Sequence, residues 1–210
     1  MDYTPTINLY CRLMEEIKKC TEVIISVEQQ TIPVPVIVAL ELCYLQLRLI
    51  CETIALGCLV AHGDVVGTQT GRMKKAYEAD WILNNLERLH PKFYPIPTKQ
   101  ILGPDGRPKA TEHIKSGFLT KKELINLYTS CGEMLHRGSL KNLNSKFERP
   151  PDFRPIGEWR TKVITLLNHH QIQLLAKDTQ LWVLMKAKDD GRAHGLIMRA
   201  VSGPTVLDRK

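Results

Sequence analysis

Glu41, Arg48, Glu52 and His136 have the types and spacing to work on a phosphate ester. On a helix, at about 100° per residue, the steps of seven and four residues from Glu41 to Arg48 to Glu52 keep all three on one stripe. The residues around that stripe are apolar, so its charges must face water in a groove or be paired inside. His136 closes a second predicted helix, and Tyr44 and Tyr128 complete a polar pocket with Glu41 between the two helices. A histidine titrating near neutrality moves a proton from a ribose hydroxyl while an arginine holds the phosphate. No metal or cofactor is called for, because the nucleophile is internal to RNA. The same residues have a plainer use. Arg48 pairs with Glu52 four residues on and fixes the register of packed helices, and His136 is a favourable cation at a helix C-terminus.

The helix carrying the stripe spans Pro35 to His62 and is apolar on nearly every side, the pattern of a helix buried centrally in a bundle. Before it, Ile7, Tyr10, Leu13, Met14, Ile17, Ile24 and Val27 give a first helix, from about Pro5 to Gln29, its core-facing side. A short loop joins the two, so they are expected to be antiparallel neighbours. A third helix is expected from Gly71 to Leu89, burying Tyr77 and Trp81 among others, with threonines before it available as caps. Its basic first turn, with Arg72, Lys74 and Lys75, opposes the helix dipole and reads either as exposure or, with Arg137, as a nucleic-acid-binding patch. Residues 95–117 form an extended, proline-rich excursion or loose hairpin. Thr120 and Glu123 make a capping box with Leu119 and Leu124 as its staple, so the fourth helix starts at Lys121 and ends near Gly138.

Two of these helices together resemble the HEPN-like superfamily. The segment from Tyr44 to Glu52 resembles the family helix that carries an arginine followed by an acid one turn on. The segment from Leu127 to Gly138 resembles the later helix ending in a histidine. The resemblance covers about residues 5–140. It implies an up-and-down helical bundle that often dimerises, making a homodimer one of its expected partners. In active members it implies a metal-independent endoribonuclease of a toxin–antitoxin or phage-defence system, bacterial and cytoplasmic. The departure lies in the catalytic pair: family ribonucleases carry Arg and His on one helix with four to six residues between them, and residues 129–131 before His136 are Thr, Ser and Cys. Arg107 and His113 have the spacing but lie in the excursion.

The remaining expectations follow from composition and periodicity. The chain is 43% hydrophobic and 24% charged, with a formal charge of +7, which permits but does not demand contact with RNA or an acidic partner. Six cysteines without a C-x-x-C pair read as buried free thiols. Cys58 and His62, four apart with Asp64 beyond, make a weak zinc case, so no metal is expected. Residues 1–5 lack the marks of a signal peptide, and the charges of the central helix argue against a membrane span. Residues 1–140 are expected as the bundle, 141–155 as a linker, 156–201 as a helix plus β-meander packed on the bundle, and 202–210 as a tail. The strands expected are 171–175, 181–186 and 194–201, with Trp159 and Trp182 anchoring the sheet to the fifth helix. The bundle is expected to cover the other face. The expected fold class is therefore mainly α: an antiparallel helical bundle with a C-terminal helix and a small three-stranded antiparallel meander. The expected function is a non-catalytic interaction module contacting a partner protein or nucleic acid, with a ribonuclease using His136, Arg48 and Glu52 as the alternative.

Overall fold

A computed structural model of the chain describes residues 2–104, 108–136 and 151–200. Helix α1 (Thr4–Glu28) and helix α2 (Val36–Ala61) pack along each other, as the short loop between them requires. The third predicted helix is two. Thr70 accepts a hydrogen bond from the Met73 amide and caps α3 (Gly71–Lys75), then Ala76 and Glu78 are extended, and α4 (Ala79–Leu89) starts afresh with Asp80 in its first turn. The break leaves Tyr77 exposed instead of buried. Helix α5 (Lys121–Leu135) opens on the expected capping box, the Thr120 and Glu123 side chains each meeting the other's backbone amide. Helix α6 (Arg154–Leu167) follows.

The fold is mixed α/β, which corrects the mainly helical expectation. Residues of the proline-rich excursion form a hairpin of β1 (Ile96–Leu102) and β2 (Pro108–His113), and β1 also pairs with β3 (His169–Gln173). With β4 (Thr179–Leu184) and β5 (His194–Arg199) the result is a five-stranded antiparallel sheet, ordered β2-β1-β3-β4-β5, in place of a three-stranded meander. The hairpin is one of the two forms expected of this excursion, but its prolines, which read as strand breakers, masked the joining of β1 to the C-terminal strands. Pro97 and Pro108 stand at strand starts, where a missing N–H is tolerated.

Register sorts the sheet into two faces. His170, Ile172, Leu181, Val183 and Gly195 point toward the helices: the Tyr10 hydroxyl meets His170 Nε2 at 2.8 Å, and a Cβ on Gly195 would stand 3.1 Å from Ile7. One continuous apolar core runs from this face through α1, α2, α4, α5 and α6. Thr98, His169, Gln171, Trp182 and Leu196 occupy the opposite face. Trp182 therefore does not anchor the sheet to a helix, as expected, and the bundle does not cover this second face among the described residues. Helix α2 also departs from its expected central burial. Leu40, Cys43, Leu47, Ile50 and Ile54 are buried, but its outward side carries exposed apolar residues, because α1, α4, α5 and α6 surround only part of it.

Candidate functional site

Helices α2 and α5 bring Arg48, Glu52 and Tyr128 together. The Arg48 Nε donates to Glu52 at 3.1 Å, and a terminal nitrogen donates to the Tyr128 hydroxyl at 3.0 Å. The guanidinium also lies 4.5 Å from the centre of the Tyr128 ring, an attractive cation–π placement. Gly132 permits this approach: a Cβ there would sit 3.2 Å from the other terminal nitrogen. Burial pushes the Tyr128 phenol up to about 12 against the opposing pull of Arg48, so it stays protonated and able to share the cluster's hydrogen bonds. The arrangement is closed on itself. A phosphate would have to displace Glu52 from Arg48, leaving a carboxylate only 20% exposed without its cation.

The other site residues have surroundings of their own. No ion pair joins Glu41 to Arg48 among the described residues, and half-buried Tyr44 has its phenol pushed up by burial. His136 caps the C-terminal end of α5, exposed, with its backbone N–H on Gly132. The Arg48 guanidinium also comes within 3.2 Å of the Cβ position of Gly132, four residues before His136 and about 6 Å from it along a helix axis. Arg72 lies 4.7 Å from the centre of the Trp81 ring, while Lys74 and Lys75 are exposed on a single short turn. Arg137 lies outside the described residues. Both ring nitrogens of His62 face backbone carbonyls, Cys58 at 2.8 Å and Gln173 at 3.0 Å, so neither is directed at a metal with Cys58.

Sequence reasoning missed the open face of the sheet. Residues from β2 at one edge and β5 at the other wall a single cavity of about 530 Å³, so the sheet is curled and this face is concave. Thr98, His169 and Gln171 are buried even though they point away from the helices. The His169 Nδ1 is 2.6 Å from the Thr98 hydroxyl, the ring meets Trp182 edge-on at 6.0 Å, and burial lowers its pKa, favouring neutral imidazole. Gln171 donates to His113 at 2.6 Å. A hydroxyl on an imidazole suggests an activated nucleophile, but Thr98 is only 2% exposed and cannot reach an incoming carbonyl or phosphate. It holds the ring instead. A signal for this face was present in the two-residue alternation of His169, Gln171 and Gln173, polar on one side of β3. The chain matches no protein-family model, no curated protein and no solved structure.

Proposed function

We propose that the protein is a non-catalytic interaction module that docks a partner protein on the outward side of α2. The observation that carries this is an uncovered apolar stripe. Val38, Leu45 and Leu49 are 39% to 42% exposed, and half-buried Leu42, Leu56 and Val60 continue the same side. Val38, Leu45 and Leu49 recur at seven and four residues, within about 40° of one another on a helix. Contiguous apolar surface rimmed by polar groups marks an interaction site, and here Glu41 and the Arg48–Glu52 pair supply one rim.

The closed Arg48 cluster supports a binding role over catalysis. A protein partner is favoured over nucleic acid on this surface because the stripe is apolar and offers a phosphate backbone no counter-charge. The resemblance of the two helices to HEPN-like bundles points the same way, since those bundles often dimerise.

The test uses two assays on the full chain. The apolar dye ANS should bind the native protein, and Leu45→Glu with Leu49→Glu should abolish that binding while leaving the melting temperature unchanged. Dye binding indifferent to the double substitution would sink the assignment to α2. Mixed RNA incubated with the protein in EDTA should stay intact. Cleavage that disappears with Arg48→Met would establish the ribonuclease alternative.

A further inference from the structure

The geometry points to a second binding site, on the concave face of the sheet: we propose that it takes a small, uncharged, planar heterocycle, its ring against Trp182 and one polar ring atom at His169 Nε2. The cavity, at about 530 Å³, falls within the span of about 300–1,000 Å³ usual for small-molecule sites. Its walls are apolar at Trp182, Leu184, Leu196 and Met198, with polar groups placed singly among them. Among the described residues no carboxylate, ammonium or guanidinium group lines it, and the His194 imidazole on its wall is already taken by Asp190 at 2.9 Å. A charged ligand would lose its hydration there without gaining a counter-charge, which disfavours phosphates, carboxylates and ammonium ions alike.

His169 is the group built for recognition. It lines the cavity with Nδ1 turned to Thr98, so Nε2, on the far side of the ring, is the nitrogen left for an occupant. Thr98 is also 3.3 Å from the backbone carbonyl of His169, and its hydroxyl can turn between that oxygen and Nδ1. With the hydroxyl on Nδ1, the neutral ring carries its proton on Nε2 and donates. With the hydroxyl on the carbonyl, Nδ1 donates to Thr98 and Nε2 accepts. One buried pair thus serves either polarity of ligand edge. Trp182 is held for the purpose by its own N–H on Gln180 at 2.9 Å and by the edge of the His169 ring. A flat aromatic wall beside a neutral hydrogen-bonding nitrogen matches a ring that is apolar on its faces and polar at its rim.

The site lies on the sheet, whereas the stripe proposed for a partner protein lies on α2, so each stands or fails alone. The test titrates the full chain with indazole, 7-azaindole and adenine at about pH 7.5, where an ordinary histidine is mostly neutral. The readout is the NMR signals of the His169 and Trp182 rings. Saturable shifts of both are expected for at least one probe, with its Kd raised about tenfold or more by Trp182→Ala. Leu196→Glu, which puts a charge on the cavity wall without touching Trp182, should weaken binding likewise and keeps the test alive if Trp182→Ala does not fold. Benzoate and benzylamine should bind at least about tenfold more weakly than the best neutral probe. The proposal is overturned if no neutral probe saturates, if both substitutions leave binding unchanged, or if a charged ring binds as tightly.

Discussion

Replacing Arg48 by Met tests whether the charged stripe of α2 holds the helices together. Methionine keeps the buried aliphatic stem and deletes the guanidinium. Three contacts then vanish: the 3.1 Å bond to Glu52, the 3.0 Å bond to the Tyr128 hydroxyl and the ring contact at 4.5 Å. Hydrogen bonds involving a charged group are worth about 1.5–3 kcal/mol net, and a cation–π contact adds about 0.5–1 kcal/mol. Against this, Arg48 and Glu52 are 24% and 20% exposed, so water partly rescues Glu52, and the freed Tyr128 hydroxyl can turn to the carboxylate. The balance is a loss of about 2 kcal/mol, or about 4–8 °C in melting temperature for a chain of this size. Thermal and urea unfolding followed by circular dichroism would measure it. A double-mutant cycle with Tyr128→Phe should return about 1 kcal/mol of coupling between the two residues. An unchanged melting temperature would mean that the stripe is merely solvated. A raised one would mean that desolvation of the pair outweighs its attraction, as happens for some buried ion pairs.

Thr120→Ala should cost about 1 kcal/mol, because it removes the capping bond to the Glu123 amide. Lys162 at 2.5 Å and the Thr120 amide hold the Glu123 carboxyl down to about 2, so the stability it contributes is present above its ordinary pKa and is lost as pH falls toward 2. Glu123→Gln should flatten that limb of an acid-unfolding curve; an identical curve would contradict the assignment. His170 behaves in the same direction for a different reason. Burial lowers it from 6.5 to about 4, so between those values the unfolded chain binds a proton that the folded chain does not. Urea midpoints should therefore drop as pH falls through that window, and His170→Gln should remove the drop. Leu181→Ala, on the helix-facing side of β4, should cost about 2–5 kcal/mol, whereas Trp182→Ala on the open face should change stability much less. Equal losses would refute the assignment of faces.

Helix α5 was legible from its first residue because a capping box is local: Thr120 and Glu123 satisfy amides three residues apart, whatever surrounds them. The long helices α1 and α2 were legible for a related reason, since their apolar spacing repeats over many turns. The excursion was legible only as extended chain or a loose hairpin; that β1 joins the sheet was not, because its partner there lies more than seventy residues away at His170 and Gln171.

Within the sites, the sequence alone placed Arg48 beside Glu52, four residues on along one helix. Only packing decided that Tyr128 closes over the pair and that Gly132 makes room for it. Alternation within β3 and β4 likewise assigns residues to two faces without saying which is covered. The Tyr10–His170 bond and the contact of Gly195 with α1 settle that, turning Trp182 and His169 outward into a shared cavity. Local hydrogen bonds and periodicity are written in neighbouring residues, whereas the pairing of distant strands and the covering of a face depend on every element competing for the same apolar surface.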